Sequence, residues 1–452
     1  MIKDKLTAKH FNSTDSLLDA KPKFRNNNFK SRSISNFLER QSIDFTFENS
    51  KEIVFLPGTN KVSSATAEAL IDYTCGQANP EAAEVWVYTY RSFMTAADCI
   101  TLLLARLRAC STKFTKKRIR TGALLIRVVA DLSPYEIKYE NELSETLISV
   151  IHSLIFDGDV TVASKLRKVF IGEVKKAISK QEVLEEKSFL VEKVKRAVTI
   201  LQISPQNLAE ELTMIQQSMF DKIEIGELLA RAKNAKDEQK FMKFAEFVDN
   251  FNQTSYRIRA ILLLQEKRTH RHKVYSLLCE TASWLKSIGN LNGMYCVFSA
   301  LNSPAVQQLG PWPKQSEEIL TGIDNLMSPN GNYKNYREFI DNWHKPYIPW
   351  FGVITQQLIS IAEVNDGCIK KAPDLDDKKM INFLVLTKKY EALKPWKHAA
   401  RQKYNYARHL KANHFFTKFS LPDGKKYSDD YFWNLAMNIL RFEKKKEKNR
   451  FF

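Results

Sequence analysis

The stretch PWFGVITQQLISIAEVNDGCIKKAPDLDDKKMINFLVLTKKYEALKPWKHAARQKY, Pro349–Tyr404, reads as two helices folded into a hairpin with a polar loop at the tip. The first arm opens at Pro349 and runs to Glu363; the second starts near Met380 and continues for about six turns. Ile354, Leu358 and Ile361 recur at helical spacing and form one apolar seam. A second stripe of Thr355, Ile359 and Glu363 follows the i, i+4, i+8 rule roughly 100° away. One seam is enough to hold a hairpin together, so the second stripe is a candidate functional face.

Outward from the hairpin the chain continues to read as helix upon helix, and the fold class is all-α. Ser204-Pro205 gives a start signal, an N-cap followed by proline at the first helical position. Leu208, Leu212, Ile215 and Met219 carry the stripe behind it, and Met294, Val297, Phe298 and Leu301 carry a later one. Upstream, the spacing predicts helices at 67–73, 81–93, 98–110, 118–131 and 142–155. Residues 1–45 mix Asn, Ser, Lys and Arg with few aliphatics and cannot bury enough surface to order themselves, so a disordered basic tail is expected there. The expected organisation is an N-terminal helical domain at 46–160, a helical linker at 161–200, a larger domain at 201–442 and a basic C-terminal tail at 443–452.

Composition narrows the class. With 14 glycines and 14 prolines in 452 residues, the chain lacks the turn residues of a large all-β or α/β protein. No run approaches the ~18 apolar residues of a membrane span, and Lys3, Lys5 and Lys9 have no apolar segment behind them, so no secretory signal is expected. The six cysteines are scattered without a Cys-x-x-Cys pair, as in a reducing, cytoplasmic setting. The net charge of +18 invites a nucleic-acid reading. Its diffuse placement and the absence of a nucleic-acid-binding motif argue against one. The basic residues suit an anionic membrane surface instead, through the Lys21–Arg40 region and the run Lys444, Lys445, Lys446, Lys448, Arg450.

Bond-making chemistry is not legible. Neither phosphate-binding glycine pattern occurs, and neither the H-E-x-x-H nor the G-x-S-x-G motif. No metal or other cofactor is expected, and action on a partner protein is.

Four segments resemble, in order, the blocks of the catalytic domain of Ras guanine-nucleotide exchange factors (RasGEFs). They are PQNLAEELTMIQQSMFDKIEIGELL (Pro205–Leu229), FNQTSYRIRAIL (Phe251–Leu262), LNGMYCVFSALNSPAVQQL (Leu291–Leu309), and NYKNYREFID with PYIPWFGVITQQLISIAE and MINF between Asn332 and Phe383. EVWVYTYRSFMTAADCITLLLARL (Glu84–Leu107) is similar to the Ras exchanger motif domain that precedes the catalytic domain in the family. The resemblance, which is to Son-of-sevenless-like factors, implies a protein that promotes GDP release and GTP loading on a Ras, Rap or Ral-type GTPase without bond chemistry. The hairpin would displace switch I, with Ile359 at the magnesium site and Glu363 near the α-phosphate. Asn302, Tyr333, Trp350 and Thr355 would contact the GTPase, and the N-terminal domain would brace the hairpin. The expected location is cytoplasmic and peripheral at the inner face of the plasma membrane. An inactive GTPase-binding scaffold of the same fold is the alternative, with a basic nucleic-acid-binding helical protein behind it.

Overall fold

The computed structural model describes residues 51–448 apart from 78, 111–115, 187–198, 234–235, 237, 365–368, 372–378 and 420–427. The expected N-terminal tail, much of the hairpin tip and the last four residues therefore lie outside the described residues. The described residues belong to one compact unit.

The N-terminal part starts with strands β1 (Ile53–Phe55) and β2 (Val62–Ala65). Helices α1 (Ala67–Gly76), α2 (Pro80–Thr89), α3 (Ala96–Ala109) and α4 (Lys116–Ala130) follow. Next come α5 (Pro134–Tyr139), α6 (Asn141–Phe156) and the long α7 (Val160–Glu186). Helices α1, α2, α3 and α5 begin where the sequence supplies an acceptor for an orphan backbone N–H. Thr66 accepts from Ala69, Asn79 from Ala82 and Thr95 from Asp98, while Ser133 and Glu136 form a reciprocal capping box. Trp86, Tyr90, Leu103, Leu147, Leu154 and Leu166 fill the bundle core. Since Leu166 is buried and α7 packs on α4, α5 and α6, the first half of α7 is built into this bundle.

The larger part runs through α8 (Pro205–Phe220), α9 (Ile225–Lys233), α10 (Met242–Leu263), α11 (Arg268–Ser287) and α12 (Leu291–Leu301). It continues with α13 (Pro304–Gln307), α14 (Lys314–Leu326) and α15 (Asn330–Asp341). The hairpin arms are α16 (Phe351–Val364) and α17 (Phe383–Ala400), and α18 (Leu410–Thr417) and α19 (Asp429–Lys448) close the fold. Helices α8, α10, α11 and α12 pack on one another as its centre. The basic C-terminal run thus continues a helix as far as Lys448.

The hairpin differs from the expected pair of helices. Between its arms lie β3 (Ile369–Lys371) and β4 (Lys379–Asn382), which pair antiparallel. Met380 and Ile381 are therefore strand residues, buried on the sheet. The second helix begins only at Phe383, where Asn382 turns strand into helix by accepting from the Val385 N–H at 3.3 Å. Strand β4 also pairs with β2, Ser64 opposite Asn382 and Ala65 opposite Ile381, giving a sheet of order β1-β2-β4-β3.

Among the described residues this shared sheet ties the N-terminal bundle to the hairpin, alongside a second direct contact and a third that runs through α9. In the second, α2 packs on α17. There Glu84 holds both Lys397 and Arg127, and the Lys397 ammonium sits 4.5 Å from the Tyr88 ring centre. Burial and the nearby Arg401 pull Lys397 down to about 8, against the attraction of Glu84. The third is Arg91, whose guanidinium donates to Glu136 at 2.7 and 2.9 Å and to the Asp131 carbonyl at 2.7 Å. Its stem lies against Gly226 on α9, and α9 packs in turn on the first arm.

Candidate functional site

The root of the hairpin is fixed by aromatic packing. Phe351 lies 5.9, 5.4 and 5.3 Å from the rings of Phe220, Phe244 and Phe247. Ile354 and Leu358 are buried on the same side, and Ile361 is partly buried against the core. Burying each such side chain contributes about 1.5–3 kcal/mol. With that seam turned inward, Thr355 and Ile359 remain half-buried and Glu363 is exposed. Helical rise puts Glu363 about 18 Å beyond Phe351 along the arm. The Thr355 hydroxyl donates to the Phe351 carbonyl at 2.8 Å, so it is occupied within its own helix and offers a partner mainly shape.

Trp350 stands just before this arm. Its indole folds back over Gly352, where an added Cβ would collide with the ring. Its backbone N–H donates to the Tyr336 hydroxyl at 2.8 Å, and burial pushes that phenol well above its ordinary value. Tyr295 packs 4.1 Å from the Trp350 ring, and Tyr333 meets it edge-on at 5.7 Å. Tyr333 reaches this position through three successive left-handed residues, Gly331, Asn332 and Tyr333, at φ 60°, 56° and 56°. For the two that are not glycine this costs roughly 1–2 kcal/mol each. Arg337 secures the turn by donating to the carbonyls of Asn332 and Gly331, both at 3.0 Å.

Asn302 ends α12 and is exposed. It lines a cleft of about 560 Å³ together with Arg259, Tyr295, Phe298, Asp430 and Trp433. Arg259 is paired with Asp429 of α19 in the cleft wall and lies over the rings of Tyr256 and Phe432. Tyr295 belongs both to this cleft and to the aromatic row. It thereby joins Asn302 to Trp350 and Tyr333, and the three residues named from sequence share one surface. The Thr355, Ile359, Glu363 stripe rises from its edge on the arm that Trp350 precedes.

Sequence reasoning missed Tyr295, which sits inside a block read for its core stripe, and the acidic pair with Trp433. The neighbours of Asn302 gave a local signal for Tyr295. For Asp429, Asp430 and Trp433 there was none, because α19 reaches α13 and α10 only in the folded chain.

The family model described as RasGEF domain matches residues 207–386, a span that includes Tyr295, Asn302, Tyr333, Trp350 and the first hairpin arm. Rap guanine nucleotide exchange factor 1 of Homo sapiens is 27% identical over 361 residues, 79% of this chain and 32% of that protein. Guanine nucleotide-releasing factor 2 of Drosophila melanogaster is 24% identical over 358 residues, covering 74% of this chain and 22% of that protein. Ras guanine nucleotide exchange factor A of Dictyostelium discoideum is 22% identical over 321 residues, 67% of this chain and 52% of its own length. The chain thus spans only part of each of these relatives. No helix among the described residues is long and apolar enough to cross a membrane.

Proposed function

We propose that this chain is a guanine-nucleotide exchange factor for a Ras-family GTPase. The observation that carries the reading is the pairing of the RasGEF-domain match with a hairpin whose Thr355, Ile359, Glu363 stripe is left off the core beside an aromatic surface. In this mechanism Asn302, Tyr333 and Trp350 hold switch II, with Tyr295 continuing their surface and Asp430 of the cleft wall facing a basic residue of the partner. Trp350 and Tyr333 are the residue types that concentrate binding energy at interfaces. The hairpin then wedges beside the nucleotide. Ile359 places an apolar group where Mg²⁺ would need oxygen ligands, and Glu363 brings like charge towards the α-phosphate. Both act only on the loaded GTPase, so the factor favours the nucleotide-free state and GDP leaves by displacement. No bond of the nucleotide is made or broken by the factor.

The N-terminal bundle acts as a Ras exchanger motif domain, holding the hairpin upright through the shared sheet, Glu84 and Arg91 rather than touching nucleotide. The cationic end of α19, from Lys444 onward, supports a cytoplasmic protein held at the anionic inner face of the plasma membrane.

Release of a fluorescent GDP analogue from purified Ras, Rap and Ral-type GTPases tests the activity. The human relative's name puts a Rap-type GTPase first in the panel. Acceleration on at least one member is expected. Binding to nucleotide-free GTPase with no acceleration anywhere would favour the scaffold reading.

A further inference from the structure

The sharpest exposed apolar feature of the described chain lies far in sequence from the hairpin, at the corner between α6 and α7. Phe156 is 90% exposed, flanked by Ile155 at 52% and Val160 at 59%. Helical spacing extends the strip along both helices. Ile148, His152 and Ile155 share one exposed face of α6, and Val160, Arg167 and Ile171 share one of α7.

The corner is rigid. The N–H groups of Asp157, Gly158 and Asp159 donate to the carbonyls of Ser153, Ile155 and Leu154 at 2.9, 3.0 and 2.8 Å. Gly158 supplies the left-handed φ of 78° that the turn requires. Its two acids are already neutralised, Asp157 by Arg108 at 2.6 Å and Asp159 by Arg118. Arg167 and Lys168 are exposed beside the strip and make no ion pair among the described residues. A protruding aromatic on a fixed turn beside uncompensated cations matches the composition of an anionic lipid interface, which closes around a side chain without needing a preformed pocket.

We propose that the α6–α7 corner is a membrane-contact site, in which Phe156 and Ile155 enter an anionic leaflet while Arg167 and Lys168 meet its headgroups. The site stands independently of the exchange reading and of the cationic end of α19.

Sedimentation of the full chain with phosphatidylcholine vesicles, with and without phosphatidylserine, at about 0.1 M salt is the test. The wild type is expected to bind only the vesicles that contain phosphatidylserine. Phe156→Ser, which keeps the charge and changes an exposed side chain, should melt like wild type and bind about tenfold more weakly. Arg167→Glu with Lys168→Glu should abolish binding, and replacing Lys444 and Lys445 should leave the Phe156 effect in place. Binding of Phe156→Ser equal to wild type would overturn the proposal. So would a wild-type dimer in free solution that Phe156→Ser dissociates, because the strip would then be covered by a second copy.

Discussion

Gly352 illustrates what one residue decides at this site. In sequence it weakens the first turn of a helix. In the fold it is the one position that lets the Trp350 indole lie back against the arm and meet Tyr295. Gly352→Ala forces the ring out, with an expected loss of about 1–3 kcal/mol in denaturant unfolding and a fall in exchange well beyond that loss of stability. Glu227 makes a pH-dependent prediction. It is 8% exposed and accepts from the backbone N–H of Phe244 at 2.7 Å and of Lys243 at 3.3 Å, anchoring the start of α10. Burial outweighs those two donors and raises its carboxyl from 4.5 to about 7. A raised acid binds its proton more tightly in the fold. Its contribution is therefore complete below pH 4.5 and is lost as pH rises through 7, by about 3 kcal/mol at most. Glu227→Gln, which keeps a carbonyl acceptor, should unfold like wild type at pH 4, below the unfolded value, and at higher temperature than wild type at pH 8, as differential scanning calorimetry would show.

At the scale of elements, the hairpin is held by its neighbours as much as by its own seam. Glu84 on α2 gathers Lys397, Arg127 and the Tyr390 hydroxyl at one half-buried point. Glu84→Ala leaves these cations without their anion, and the expected cost is about 1–3 kcal/mol. Hydrogen exchange should then quicken in α17 and β4 more than in α11, and nucleotide release should slow although no GTPase contact is touched. Unchanged protection in α17 would show that the hairpin stands without this tie. The helices of the hairpin were legible because Ile354 and Leu358 repeat at 3.6-residue spacing over a long window. The strands were not. Met380-Ile381 is too short an apolar run to separate strand from helix start, and its pairing partner in β2 lies about three hundred residues earlier in the chain. Asn382 was a readable cap, yet only the sheet explains why the helix waits for it.

Over the whole molecule, helical periodicity and scarce glycine and proline were enough to give the all-α architecture, because those signals are local. The surface around Asn302 was only half legible: its own block is contiguous, whereas Asp429, Asp430 and Trp433 come from a helix brought in by long-range packing. The +18 charge stays diffuse over the chain, with Arg167 and Lys168 on α7 and Lys444 and Lys445 on α19 among its exposed cations. The central claim is that the half-exposed stripe of α16 opens a GTPase while the aromatic surface below it holds on. Fluorescent-nucleotide release from the responsive GTPase, measured beside affinity for its nucleotide-free form, separates these two roles for the double change Ile359→Ala, Glu363→Ala. The account predicts release slowed by about a hundredfold or more, corresponding to roughly 3 kcal/mol of lost displacement, with the complex still formed through Asn302, Tyr333 and Trp350. Release at the wild-type rate by that double variant would contradict it.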